Sequence, residues 1–276
     1  MQISQALSVA REQLHTDSAR LETEVLLAHT IGMPRIYLKT WPERDITEAH
    51  LEKYFQLIAR RQNGEPIAYI LGQQEFWSLD FKVNQHTLIP RPETELLVEL
   101  ALSAMPNTPK RILDLGTGTG AIAIAIASER PEWHITAVDV SAKALEVAKH
   151  NGMQHQVNIE WIESHWLNDV SGQFDLIISN PPYIALKDPH LAQGDVRFEP
   201  EGALVSGDDG LDDIRYLITT TPSYLPPKGM LMIEHGYDQQ KKSLALLEEG
   251  GFDNIKGLKD DAGNDRIVVA TTPAHT

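Results

Sequence analysis

A chain of 276 residues holds one large domain or two smaller ones, and its 42% hydrophobic and 23% charged content excludes disorder. There is no cysteine, which excludes a disulfide scaffold, a thiolate zinc site and a cysteine nucleophile and fits a reducing cytosol. The net charge is −15, and after Glu75 only 16 basic residues face 29 acidic ones, so stable binding to nucleic-acid phosphates is disfavoured. A small molecule or a basic protein is the better partner for such a surface.

The first segment, MQISQALSVAREQLH, carries Arg11 and Glu12 where a signal peptide needs an unbroken apolar stretch. No run approaches the roughly 18 apolar residues of a membrane span. The expectation is a cytoplasmic protein that does not engage a membrane. Up to about Leu71, the segments ISQALSVAREQL, SARLETEVLLAHTIG and TEAHLEKYFQLIARRQNG repeat apolar residues at three- and four-residue spacings and predict helices. Asp17, Ser18, Asp45 and Thr47 are candidate caps, with Gly32 and Gly64 as candidate stops. Residues 1–74 thus read as a small helical bundle with its own core.

From Glu75 to Arg91 the pattern changes to short alternating runs around Phe76, Leu79, Phe81 and Val83. Residues 75–92 read as a strand pair or extended connector leading to Pro90 and Pro92. Thr94 and Glu95 then open a helix through Ala104, which Pro106 and Pro109 end. Beyond Lys110 the chain has the period of an α/β fold. RILDLG, HITAVD, IEWIES and FDLIIS are short apolar runs, separated by helical stretches such as AIAIAIASER and SAKALEVAKHNG. GMLMIEHG, a helix around QQKKSLALLEEGG, FDNIKGLKD and RIVVATT follow. Residues 93–276 therefore predict a mostly parallel sheet covered on both faces, with a final antiparallel pair across Asp261–Asn264.

The turn LDLGTGTGAIAIA places Gly116, Gly118 and Gly120 between a buried strand and a helix start. Glycine permits positive φ and lets a ligand lie against the main chain, beside the free N–H groups of the helix. Read with Ala121 as G-x-G-x-x-A, the loop also satisfies a dinucleotide fingerprint, so a nicotinamide cofactor stays open at this point. Asp139 ends the following strand, where an acid can accept both ribose hydroxyls, or can merely cap the helix opening near Ser141. Asp114 precedes the first glycine, and an acid there tilts the balance toward S-adenosylmethionine.

FDLIISNPPYIAL puts Asn180, Pro181, Pro182 and Tyr183 at the carboxyl end of a predicted interior strand, the edge where open α/β sheets bind ligands. Two prolines fix two φ angles and remove two N–H donors. A stiff turn remains, offering the Asn180 side-chain oxygen and the Pro181 carbonyl as acceptors, with the Tyr183 ring beside them. This suits a conjugated nitrogen nucleophile. Full loss of amide conjugation costs about 18–20 kcal/mol, and accepting both N–H groups recovers part of it by turning the lone pair toward a methyl donor.

LIPRPETE, ILDLGTGTGAIAIA, AVDVS, ISNPPYI and RFEPEGALVSGDDGL together resemble the release-factor glutamine methyltransferases, called PrmC or HemK, over essentially the whole chain. The resemblance implies a class I (Rossmann-like) methyltransferase domain behind a helical substrate-recognition domain. It implies S-adenosyl-L-methionine as cofactor, S-adenosyl-L-homocysteine as product, and the glutamine of the Gly-Gly-Gln motif in class-1 peptide chain release factors as acceptor. Carried over residue by residue, Gly116, Thr117, Gly118, Thr119, Gly120, Asp139, Trp166 and Asn180 would hold the cofactor. Asn180, Pro181, Pro182 and Tyr183 would hold the glutamine. His165 departs from the aspartate often seen beside the tryptophan. The turn alone is shared with adenine-directed DNA or RNA amino-methyltransferases, which is the alternative reading. Neither His150 with His155 nor SGDDGLDD completes a metal-ligand pattern, so no metal is expected.

Overall fold

The computed structural model describes residues 1–274, which fall into two compact units. Met1–Gln73 and the later segment Gln193–Phe198 form the first unit, and the remaining described residues form the second.

Five helices build the first unit: α1 (Ile3–Gln13), α2 (Ala19–Ile31), α3 (Arg35–Thr40), α4 (Glu48–Gln62) and α5 (Ile67–Leu71). The three long ones coincide with the periodic stretches of the sequence. The other two span six and five residues, too few turns for a period to show. Ile3, Leu7, Leu26, Leu27, Leu38, Tyr54 and Ile58 make the core, and the Tyr54 hydroxyl donates to the Thr23 carbonyl. The Thr47 hydroxyl caps α4 by accepting from His50 N, and Gly32 ends α2 at φ +67°. Asp45 caps nothing: it lies in an isolated bridge with Gln2, its carboxylate near the amino terminus. Buried Glu24 gathers Arg11, Arg20 and Arg35, and the hydrogen bond from Arg35 above all, with that from Arg20, holds its carboxyl below the usual carboxylate range. Arg61 bridges Glu22 at 2.8 Å and Asp195 at 2.7 Å, which fastens the returning segment to α4.

A hairpin of β1 (Gln73–Phe76) and β2 (Leu79–Lys82) comes next, turning through Trp77 and Ser78 at φ 53° and 57°. Two consecutive left-handed residues match the type I′ turn that suits a twisted hairpin. The second unit continues with α6 (Glu95–Ala104), β3 (Arg111–Leu115), α7 (Ala121–Glu129), β4 (His134–Asp139), α8 (Ala142–Gln154), β5 (Ile159–Glu163) and β6 (Leu176–Ser179). After a long loop come α9 (Asp212–Thr220), β7 (Met230–Glu234), α10 (Gln240–Glu249), β8 (Asp253–Lys259) and β9 (Asp265–Thr271). The large sheet runs β5-β4-β3-β6-β7-β9-β8. Only β9 is reversed, antiparallel to β7 on one side and β8 on the other. The short turn between β8 and β9 dictates this, since a parallel return needs a crossover of a dozen or more residues.

Alternate residues of each strand feed two cores. Ile112, Leu176 and Met232 pack with Leu97 of α6, Ile124 of α7 and Phe81 of the hairpin. Leu113, Ile177 and Leu231 pack with Ile214 of α9 and Leu247 of α10. Buried Asn151 of α8 joins the hairpin to the glycine loop. Its Oδ1 accepts from Lys82 N, and its Nδ2 donates to the carbonyls of Lys82 and Thr119. No helix among the described residues is long and apolar enough to cross a membrane.

The loop glycines differ in what surrounds them. A Cβ at Gly120, where φ is +81°, would stand 2.9 Å from Ile124, 3.1 Å from Trp161 and 3.3 Å from Ala148. A Cβ at Gly118, φ +55°, would meet nothing within 4 Å. Urea denaturation should therefore show Gly120→Ala losing about 2–4 kcal/mol, backbone strain plus overpacking, and Gly118→Ala only about 1 kcal/mol. Equal losses would show that the packing around Gly120 relaxes freely.

Candidate functional site

Three parallel strands end side by side. Leu115 of β3 pairs with Val138 of β4 and with Ser179 of β6. The next residues in each chain segment are Gly116, Asp139 and Asn180, so the register brings these groups to one edge. Ser179 Oγ donates to the Leu115 carbonyl at 2.7 Å and locks β6 to β3. Gly116 N and Thr117 N both donate to the Val138 carbonyl at 2.9 Å, which folds the glycine loop back over β4.

Within the loop the residues have separate tasks. Gly116 and Gly118 are half-buried and line a cavity of about 260 Å³, whereas Thr117, Thr119 and Gly120 are buried beneath it. The Thr117 hydroxyl donates to Asp114 Oδ2 at 2.6 Å. Thr119 contributes the carbonyl that Asn151 binds, and Gly120 opens α7. Asp139 stands in the cavity wall: its Oδ2 accepts from Gly118 N at 2.8 Å and its Oδ1 from Ser141 N at 2.9 Å. Each oxygen keeps a lone pair for a ligand hydroxyl.

Trp166 lies on the same wall at φ +52°, its ring edge about where a Cβ on Gly116 would make contact. Its Nε1 donates to Asp213 Oδ1 at 3.2 Å. His165 lines the cavity from an exposed position beside the Tyr216 ring. Asn180 and Pro182 reach the cavity as well; Pro181 is buried and Tyr183 half-buried behind them. Asn180 Nδ2 donates to Thr94 Oγ1 at 3.2 Å, and the Tyr183 hydroxyl to Glu234 Oε1 at 3.4 Å. Gln239 Nε2 donates to the Tyr183 carbonyl at 2.9 Å and closes the turn from the other side.

Sequence reasoning missed several members of this site. His86, Thr87 and Leu88 from the connector, and Pro200, Gly202 and Ala203 from the loop after β6, complete the cavity lining. One buried carboxylate joins those two segments: Glu199 accepts from Ile89 N at 3.1 Å and pairs with Arg91. Glu234 was missed too, although an acid ending a buried strand is the same signal that singles out Asp139.

The electrostatics are those of buried acids. Burial, with the neighbouring Asp139 charge, pushes the Asp114 carboxyl up to about 7. Glu234, fully buried, is likewise pushed up to about 7, mainly by burial, and burial also raises Asp139. Burial lowers His235 beside it. Among the described residues no group of His, Asp and Glu has the arrangement of a metal site.

A doubly covered sheet of this order, with a glycine loop, a strand-end acid and a ligand cavity on its carboxyl edge, defines a class I methyltransferase. A methyltransferase from Pyrococcus furiosus has the same fold, with a TM-score of 0.55 at 20% identity over 78% of this chain and 97% of that one. So does the T. thermophilus 16S rRNA N2 G1207 methyltransferase (RsmC), at 0.51, 18% identity, 72% of this chain and 49% of that one. Family models match as well: the PrmC N-terminal domain over residues 5–72 and the methyltransferase small domain over residues 93–196. The release factor glutamine methyltransferase of Pseudomonas aeruginosa is 53% identical over 91% of this chain and 92% of its own. That of Shewanella oneidensis is 47% identical over 97% and 95%. The chain belongs to the release factor glutamine methyltransferase family.

The raised Asp114 has a consequence for stability. Between its unfolded range near 4 and about 7, the folded protein holds a proton that the unfolded chain has released, so stability falls as pH rises through that window. One such proton gives a slope of up to about 1.4 kcal/mol per pH unit. Urea titrations at pH 5, 6, 7 and 8 should show a shallower fall for Asp114→Asn than for the parent. Parallel curves would mean that Asp114 titrates alike in both states.

Proposed function

We propose that this chain methylates the side-chain amide nitrogen of the glutamine in the Gly-Gly-Gln motif of class-1 peptide chain release factors. S-adenosylmethionine is the methyl donor in this reading. Family membership supports both, and the observation that carries the chemistry is the Asn180 amide: its Nδ2 is engaged by Thr94, leaving Oδ1 as a free acceptor.

The residues present fit the cofactor. Gly116 and Gly118 bare their main chain to the cavity, Asp139 keeps acceptor capacity for ribose hydroxyls, and Trp166 offers a ring surface. Bound there, S-adenosylmethionine supplies an electrophilic methyl group on a sulfonium. The protein's part is orientation. Asn180 Oδ1 and the Pro181 carbonyl accept the two N–H groups of the glutamine amide, which turns its lone pair out of conjugation. The Tyr183 ring flanks the planar amide. The prolines, lacking N–H donors, offer that amide no competing hydrogen bond. The amide nitrogen takes the methyl group as the sulfur–methyl bond breaks, and with it the positive charge, then sheds one N–H proton to solvent to become the neutral methylamide; positioning is the main catalytic contribution. The helical unit, residues 1–74 in the sequence reading, serves recognition of the protein substrate. Work on a translation factor puts the enzyme in the cytoplasm.

The test is to offer S-adenosylmethionine labelled in the methyl group together with a class-1 release factor, its Gly-Gly-Ala variant, duplex DNA or rRNA. Label should appear only on the factor carrying glutamine. Label on nucleic acid would favour the adenine-directed reading instead. Asn180→Ala should lower the single-turnover rate roughly 10²–10³-fold at saturating cofactor, by analogy with loss of one preorganised hydrogen-bonding group. Asp139→Ala should weaken cofactor binding by about 1.5–3 kcal/mol in calorimetric titration. Parent-like values for both variants would reduce the glycine loop and the turn to structural roles.

A further inference from the structure

The two prolines of the Asn-Pro-Pro-Tyr turn carry no N–H by which the main chain could anchor it, so the turn is held by what it accepts and by the residues at its ends. The Tyr183 carbonyl is one such handle, and its donor lies 56 residues further along the chain. Gln239, buried behind the turn, donates from Nε2 to the Tyr183 carbonyl at 2.9 Å and to the Gly210 carbonyl at 3.3 Å. Its Oε1 accepts from Gly236 N at 2.9 Å, just past the end of β7. Three main-chain segments thus meet on one side-chain amide: the turn, the SGDDGL stretch and the end of β7.

We propose that Gln239 is a positioning residue, whose side-chain amide holds the turn in the pose that aims Asn180 Oδ1 and the Pro181 carbonyl at the acceptor amide. This rests on the assignment of those two groups as acceptors for the glutamine. Gln239 is the N-cap residue of α10, yet its side chain makes no capping bond there, so its amide is not spent on the helix it opens. The direction of that amide is fixed by its partners. Flipped, it would set its oxygen against two carbonyl oxygens and its NH₂ against the Gly236 N–H. Glycine keeps the space open for this arrangement. A Cβ at Gly210, where φ is +75°, would strike the Tyr183 oxygen and stand 2.7 Å from Gln239 Nε2, and one at Gly236 would stand 3.1 Å from Gln239 Oε1. With φ fixed at both prolines, the turn moves nearly as one body. A shift of the Tyr183 carbonyl therefore displaces the Pro181 carbonyl and Asn180, and about 1 Å at a reacting centre is enough to cost roughly 10²-fold in rate.

Gln239→Met keeps the length of the side chain and removes its hydrogen bonds. Gly210→Ala leaves Gln239 in place and presses a methyl group on the Tyr183 oxygen. Three readouts are needed. The first is single-turnover methylation of a release factor, over a range of its concentrations at saturating cofactor. The second is calorimetric affinity for S-adenosylhomocysteine. The third is the side-chain amide resonance of Asn180 in ¹⁵N-labelled protein, identified by its absence in Asn180→Ala. The maximal rate of Gln239→Met should fall roughly 10- to 100-fold. The release-factor concentration at half-maximal rate and the S-adenosylhomocysteine affinity should stay within about threefold of the parent, since alignment is lost and docking is not. The Asn180 resonance should move in both variants, and Gly210→Ala should show the same split. A Gln239→Met protein with a parent-like maximal rate or an unmoved Asn180 resonance would overturn the proposal. So would equal losses in maximal rate, half-saturation and S-adenosylhomocysteine affinity, which mark general loosening of the fold. If Gln239→Met does not fold, Gly210→Ala decides: the same split supports the proposal and a parent-like rate overturns it. Should the parent methylate no Gly-Gly-Gln protein while the Asn180 resonance still moves in Gln239→Met, the acceptor assignment falls and the hold on the turn stands.

Discussion

The in-register ending of three parallel strands is the constraint from which the site hangs. Leu115, Val138 and Ser179 are neighbours across β3, β4 and β6, and neighbouring strands lie about 4.8 Å apart. The residue after each one is therefore held within about 10 Å of the others without any dedicated scaffold. The chain leaves β3 to build β4 on one side and returns later to build β6 on the other. That change of direction opens the crevice above the strand ends. A slip of β6 by one residue would turn its side chains to the opposite faces of the sheet, and the Ser179 hydrogen bond to the Leu115 carbonyl opposes it.

Beneath that edge lies a floor of buried acids. Asp114, Asp139 and Glu234 are all raised by burial, whereas Asp209 on the surface is held down to about 2 by Arg215. Carboxylates in such a place have a desolvation cost, which hydrogen bonds from Gly118 N, Thr117 and Tyr183 partly offset. What they add is a set of placed hydrogen-bond acceptors: Asp139 takes Gly118 N and Ser141 N, and Asp114 takes the Thr117 hydroxyl. These bonds hold the glycine loop and the opening of α8 against the cavity.

The wall of the cavity depends on a second long-range link. Glu199 lies 110 residues from Ile89, yet its carboxylate takes the Ile89 N–H and pairs with Arg91. The stretches LIPRPETE and RFEP, which look unrelated in sequence, are thus two halves of one buried contact. Glu199 bears on the cavity indirectly, by holding the connector and the loop next to the residues that line it: Leu88 on one side and Pro200 on the other.

Much of this protein was legible in its sequence because the relevant physics is local. Helix and strand periods predicted α1, α2, α4 and the alternation that makes the parallel sheet, since each face must be apolar to be buried. Glycines at positive φ and a proline pair limit the backbone whatever surrounds it, so the glycine loop and the Asn-Pro-Pro-Tyr turn stood out at once. Residues whose task is set by a distant partner did not. Short α3 and α5 have no measurable period, and Gly120 looks like its neighbours until Ile124 and Trp161 are seen against it. Thr94, Glu199 and Glu234 are ordinary letters in a string. Tertiary structure alone decided that they meet Asn180, Arg91 and Tyr183, because hydrogen-bond direction depends on which groups burial brings together.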